Sequence, residues 1–148
     1  MPIATDIDTA TRLRAVVGRL SRRLRSTVAG AGLTPTQISV LASVVRRGPM
    51  KLATLGELEG LNPTMLSRSV GNLEKLDMVA RRRDERDART LWVHATATGK
   101  RTQQRIRAER SKALGEHLNR LSTVEHTALE AALPALEALA DSLSTENS

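Results

Sequence analysis

Arginine carries most of the chemistry this sequence can offer. Arg81, Arg82, Arg83, Arg86 and Arg89 all fall within the stretch RRRDERDAR at residues 81–89, with Asp84 and Asp87 between them. A guanidinium is a planar fork of donors that stays charged at any physiological pH, so such a cluster suits phosphate oxygens, carboxylates and guanine edges. Arg also favours a narrow A·T minor groove, where the potential is most negative, and Asp84 and Asp87 are expected to orient the arginines by carboxylate–guanidinium pairing. A second set lies just upstream, in LNPTMLSRSVGNLEKL at residues 61–76. Leu66, Val70 and Leu73 recur there at helical spacing. At about 100° per residue, Thr64, Arg68, Gly71 and Lys75 fall on the opposite side, flanked by Ser67 and Asn72. Hydroxyls, an amide, two cations and a glycine make a row that can read a major groove. Arg68 can donate two hydrogen bonds to guanine O6 and N7, and Thr64 and Ser67 can meet base edges, a thymine methyl or phosphate. Lys75, at the far end, suits phosphate, and the helix N-terminus offers N–H groups to another. Gly71 lets the backbone come close to a duplex.

Other chemistries are poorly served. The histidines, His94, His117 and His126, are scattered, and there is no HExxH, ordered carboxylate pair, GxGxxG or P-loop, so no enzyme is expected. His117 with Glu116 or His126 lacks metal-ligand spacing, and no metal or cofactor is expected. The absence of cysteine excludes disulfides, thiolate zinc sites and thiol redox switching. No apolar run approaches the ~20 residues that span a bilayer, and none of signal-peptide length opens the chain. A soluble, cytoplasmic protein is therefore expected. Lys plus Arg number 23 against 16 for Asp plus Glu, a net charge of +7, which points to a polyanionic partner, nucleic acid ahead of an anionic membrane. RNA recognition relies on stacking aromatics, and the sequence has only Trp92. The competing reading is a basic helical module that binds a protein or a membrane surface without reading DNA. Its natural membrane face, the first helix, lacks Trp and Phe.

The elements that must position these residues follow from periodicity and punctuation. The length of 148 residues suits one domain, and 40% apolar residues supply one core. The near absence of aromatics favours helices over a β-sandwich. Residues 1–7 have no pattern and read as a loose arm. From Asp8, Leu13, Val17, Leu20, Leu24 and Val28 mark a long amphipathic helix ended by Gly30 and Gly32. Thr34 and Gln37 form a capping box with Pro35 at the first helical position, and Gly48 and Pro49 stop that helix. A short helix at 52–59 and a turn at Gly60–Asn62 precede the helix that carries the outward row. Asn62 caps it, Pro63 opens it, it ends near Leu76, and Asp77 sits where the chain leaves it. Extended runs at 79–83 and 90–95 predict a β-hairpin with a long charged tip. Thr96 caps a helix that runs to about Leu121. Ser122 and Glu125 form the capping box of a last helix carrying Leu129, Leu133, Leu136, Ala140 and Leu143, which Pro134 should kink or break. The tail from Ser144 is expected to fray.

A helix, a tight turn, a helix and a basic hairpin make the plan of a winged helix-turn-helix, so the expected fold is mainly α with a small β-hairpin wing. At this point the sequence resembles the MarR family of transcription regulators, over about residues 8–143. LTPTQISVLASVVRRGP resembles the family's second helix and its exit, LNPTMLSRSVGNLEKLDMVAR the recognition helix and the start of the wing, and LSTVEHTALEAALPALEAL the last helix. RDERDARTLWVHATATGKR resembles the family's wing signature and is the most specific of the four. The resemblance implies base or backbone contacts from Thr64, Ser67 and Arg68, with Asn72 and Lys75 completing the row. It also implies a minor-groove arginine held by the Asp of an Asp-x-Arg tip. That role falls on Arg89 and Asp87, with Arg86 as the second candidate. It implies a homodimer whose long helices at 8–31 and 98–143 interlock about a DNA-binding lobe at 34–96, in a single-domain chain of residues 1–148. It further implies a repressor of an inverted-repeat operator, released by a small, phenolic-type ligand. The sequence departs from the family at Ala88, where a first Arg is common, and at Asp77, which replaces a helix-ending Gly. It departs also at Glu59, a commonly apolar position whose packing Leu58 is expected to take over, and at Lys51, a poor helix cap.

Overall fold

The caps and apolar spacings become helices at the predicted places. The computed structural model describes residues 7–26 and 32–145. Its elements are α1 (Ile7–Ser26), α2 (Pro35–Arg47), β1 (Met50–Lys51), α3 (Leu52–Glu59), α4 (Pro63–Lys75), β2 (Val79–Arg83), β3 (Leu91–Ala95), α5 (Ala97–Leu118) and α6 (Thr123–Thr145). The expected features at Val28 and Gly30, most of the N-terminal arm and the last tail residues lie outside the described residues. The chain divides into two units, Met1–Arg110 and Ser111–Ser148.

The first unit contains the core. Val40, Leu41 and Val44 of α2, Leu55 of α3, Val70 and Leu73 of α4, Val79 and Val93 of the strands and Ile106 of α5 are fully buried. Fully burying such side chains contributes about 1.5–3 kcal/mol each before ordering costs. Thr34 Oγ1 accepts the Gln37 N–H at 3.2 Å and Gln37 Oε1 accepts the Thr34 N–H at 3.0 Å, the capping box predicted for α2. Asn62 Oδ1 accepts the Met65 N–H at 2.9 Å and starts α4. At the far end, Met78 N–H reaches Leu73 O at 2.9 Å and Asp77 N–H reaches Glu74 O at 3.0 Å. That pairing is a Schellman closure, with Asp77 at φ +57° in the left-handed position where glycine is usual.

Two features differ from what the sequence predicts. The sheet has three antiparallel strands in the order β1-β3-β2, not two. Met50 pairs with Val93 and Lys51 with Trp92, so the chain leaving α2 joins the wing before entering α3. Glu59 is not a gap that Leu58 fills: Leu58 is exposed, and the Glu59 carboxylate accepts hydrogen bonds from the hydroxyls of Ser39 and Ser43 on α2. The buried Ser43 hydroxyl is tolerated because it is bonded in this way. Lys51 provides no side-chain cap to α3, as its type predicts.

The second unit holds the end of α5 and all of α6. The predicted box is present, with Glu125 N–H on Ser122 Oγ at 3.3 Å and Ser122 N–H on Glu125 Oε2 at 2.9 Å. The Ser122 backbone N–H holds the Glu125 carboxyl below the usual carboxylate range. Pro134 does not break α6, which is helical throughout. Proline removes one N–H, and residues 127–135 are all exposed, so water can take the freed Glu130 carbonyl. None of the described residues of α1 or α6 is buried. Among the described residues no helix is long and apolar enough to cross a membrane.

Candidate nucleic-acid interface

The outward row is where the spacing places it. Leu66, Ser69, Val70 and Leu73 are buried, while Thr64, Ser67, Arg68 and Lys75 are exposed and Asn72 is half-buried. Sequence reasoning left out Met65, half exposed at 50% beside the row, an apolar side chain of the kind that meets a thymine methyl. The N-terminus of α4 is less open to phosphate than its sequence suggests. Pro63 has no N–H, Met65 N–H is held by the Asn62 side chain and Leu66 N–H by the Asn62 carbonyl at 3.0 Å. Of the first-turn donors, Thr64 N–H is the one left without a partner among the described residues.

Gly71 has no structural reason to be glycine. A Cβ there would meet nothing within 4 Å. Gly71→Ala is expected to stabilise the fold by about 0.5–1 kcal/mol, because alanine restricts the unfolded chain and favours helix. If the backbone at this point approaches a duplex, the same variant binds DNA more weakly. Thermal melts and DNA titrations on one sample separate the two effects.

The wing is tied to α4 by an ion pair that the sequence gives no sign of. Arg81 Nη2 meets Glu74 Oε1 at 3.0 Å, Nε meets Oε2 at 3.3 Å, and the Arg81 backbone N–H also reaches Oε2 at 3.2 Å. The Arg81 side chain holds Glu74 below the usual carboxylate range, and Glu74 raises Arg81 in return. Arg81 therefore braces the wing against the helix and is withdrawn from the arginine cluster. Arg83 is committed as well, with Nη1 on Ala88 O at 3.2 Å.

At the tip, the expected pairing of Asp84 and Asp87 with guanidinium groups is corrected. Both carboxylates bind the loop itself. Asp84 Oδ1 accepts the N–H groups of Arg86 at 2.8 Å and Asp87 at 3.2 Å, and its Oδ2 accepts Trp92 Nε1–H at 2.8 Å. Asp87 Oδ1 accepts the Arg89 backbone N–H at 3.0 Å, and Oδ2 accepts Thr90 Oγ1–H at 3.4 Å. Asp84 N–H donates to Thr90 O and Thr90 N–H to Asp87 O, each at 2.9 Å. Short-range carboxylate-to-amide bonds of this kind fold turns, and they are made before any arginine can reach across. The guanidinium groups of Arg86 and Arg89 are left exposed, with no partner among the described residues. A cleft of ≈ 770 Å³, lined by Leu52, Gly56, Leu61, Leu66, Arg89 and Leu91, lies between the α3–α4 turn and the tip end of β3. No cluster of metal-ligating side chains occurs among the described residues.

Comparison with known proteins gives consistent results. Residues 33–91, the span from just before α2 to the start of β3, match the MarR family model. A Pseudomonas aeruginosa PA01 protein described as a transcriptional regulator is 30% identical, with 95% of this chain and 98% of that one covered and a TM-score of 0.76. The HTH-type transcriptional repressor MdtR of Bacillus subtilis is 25% identical over 113 residues, 76% of this chain and 73% of that protein. A mutant form of MepR from S. aureus, bound to an oligodeoxyribonucleotide, shares the fold at a TM-score of 0.65 and 14% identity, over 88% of this chain and 96% of that one.

Proposed function

Because the chain belongs to the MarR family of transcription regulators, which are not enzymes, we propose that it is a homodimeric repressor that reads double-stranded DNA. One arrangement carries this reading. The exposed row of α4 and the unpartnered guanidinium groups of the wing tip sit on elements joined by the Glu74–Arg81 brace. Each subunit lays residues 63–76 in a major groove, where Thr64, Ser67, Arg68 and Asn72 meet base edges and Lys75 a phosphate. Residues 84–89 enter the neighbouring minor groove. Arg86 and Arg89 are equally free to do so, and Asp87 serves Arg89 through its main chain.

The dimer draws support from apolar surface the single chain leaves uncovered. Val17 and Leu20 of α1 are each 51% exposed, and Leu133 of α6 is 47% exposed, with Leu129, Leu139 and Leu143 also open. Apolar stripes of this kind mark an interface, and a two-fold dimer of interlocking helices would cover both. Two reading heads related by two-fold symmetry require an inverted-repeat operator with half-sites about one helical turn apart. Repression then follows from blocking polymerase, in the cytoplasm where the DNA is. The similarity to a named repressor and to a DNA-bound relative supports this reading. Release by a small, phenolic-type ligand would be a population shift toward dimer conformations whose heads no longer match the half-sites.

Selection of bound fragments from random duplex DNA tests the proposal. An inverted repeat with A·T-rich flanks is the expected product, and failure to enrich any sequence would overturn the reading. On the selected operator, Arg89→Ala is expected to cost about 1 kcal/mol or more per subunit, with most of the loss at A·T-rich flanks. Unchanged affinity would remove Arg89 from the interface.

A further inference from the structure

We propose that Asp84 is the positioning residue of the wing, and that with Trp92 it holds the tip in its DNA-ready shape before any DNA arrives. Residues 85–89 are exposed, so no core packing fixes them. What holds the tip is a short set of hydrogen bonds, and Asp84 is the acceptor in three of them. Its two oxygens divide the work. Oδ1 gathers the N–H groups of Arg86 and Asp87, which sets the turn from which Arg86 projects. Oδ2 reaches back across the hairpin to the indole of Trp92, whose own strand partner is Arg82. The tip is thereby fastened to the sheet and not only to itself.

The fastening continues inward. Trp92 also pairs with Lys51 of β1, and Lys51 Nζ lies 6.0 Å from the centre of the indole ring, at the outer limit of cation–π attraction. Lys51 is the residue from which α3 starts. A continuous path therefore runs from α3 through Lys51, Trp92 and Asp84 to the amides of the tip. The Trp92 hydrogen bond, with those from Arg86 and Asp87, holds the Asp84 carboxyl below its ordinary range, so it is ionised throughout neutral pH. A negative charge so close to a phosphate backbone opposes DNA binding unless its structural contribution outweighs the repulsion. A loop already held in its bound shape loses less conformational freedom on association, which is how that contribution arises.

This inference rests on the DNA-binding reading for its affinity consequence, and the experiment separates the two. Full-length protein carrying Asp84→Ala, Asp84→Asn, Trp92→Phe or both Asp84→Ala and Trp92→Phe is titrated against the selected operator, with circular dichroism confirming the fold. Asp84→Ala is expected to weaken binding about tenfold. Asp84→Asn falls between it and the unaltered protein, since an amide oxygen still accepts the tip N–H groups while its NH2 cannot accept from the indole. The double variant loses little more than Asp84→Ala alone, because the two residues act as one unit. A charge that merely repels DNA would give the opposite order, with both Asp84 variants binding more tightly, and that outcome overturns the proposal, as do additive losses. A second readout needs no DNA. Acrylamide quenching of Trp92, the single tryptophan, is expected to rise in free Asp84→Ala protein, and unchanged quenching would show that the clamp does not hold the indole. If the unaltered protein binds no DNA while quenching still rises, the clamp stands and the DNA reading falls.

Discussion

Gly99→Ala is expected to destabilise the protein by about 3 kcal/mol, the upper end of what overpacking a closed site costs. A Cβ at this position would lie 1.9 Å from the Met78 carbonyl oxygen, 2.9 Å from its carbon and 3.2 Å from Met78 Cα. These are backbone atoms and cannot rotate away. Met78 is itself fixed on both sides, its N–H on Leu73 O and its carbonyl on the Thr96 N–H at 3.1 Å. Thr96 in turn caps α5 by accepting the Gly99 N–H at 3.0 Å. The first turn of α5 thus sits directly on the exit of α4, and only a residue without a side chain allows the contact. Urea unfolding of Gly99→Ala beside Gly71→Ala tests this. Both replace a helical glycine by the better helix former, and opposite signs are expected because one site is closed and the other open. Equal stabilisation of both would mean that the Met78–Gly99 contact does not exist in solution.

Arg68→Ala is expected to cost about 1–3 kcal/mol of DNA affinity per subunit, and to relax the preference at the base pair it faces. Arg68 is exposed on the outward row and has no ion pair or hydrogen bond among the described residues. Its loss therefore leaves the fold intact, and any change in binding reports the contact itself. In a two-fold dimer the effect is felt at both half-sites. Affinities for operators altered one base pair at a time give the decisive pattern. A loss confined to one position, usually a guanine, makes Arg68 a base reader. An equal loss on every sequence, with a shallower salt dependence, makes it a phosphate contact.

Much of this is legible in the sequence because the signals are local. Thr34 with Gln37, Asn62 with Pro63, and Ser122 with Glu125 each identify a helix start within four residues, and all three caps are made. Leu66, Val70 and Leu73 define a buried face, which also fixes the exposed one. What escapes the sequence depends on partners far along the chain or on competition between local bonds. Met50 and Lys51 carry no strand pattern and are a strand only because Val93 and Trp92 lie beside them. Glu74 and Arg81 meet because the chain turns sharply at Asp77, and nothing in their spacing announces it. Asp84 and Asp87 mislead for a different reason. Their type suits a guanidinium as well as an amide, and the amides two and three residues away are reached first. Pro134 ends no helix because the carbonyl that loses its N–H partner is exposed and can turn to water, so α6 continues through it.

The two-residue strand at Met50–Lys51 has a wider consequence on the proposed binding mode. With it, α3 and α4 are bracketed between two strands of one sheet, β1 before them and β2 after, and β2 is pinned again by Arg81 on Glu74. The helix and the tip then behave as the jaws of a caliper whose opening is preset. A duplex whose furrows are spaced differently has to bend or twist to suit the protein. Sequences stiff between the two points of grip would be rejected, and pliable ones accepted, at base pairs that no side chain touches.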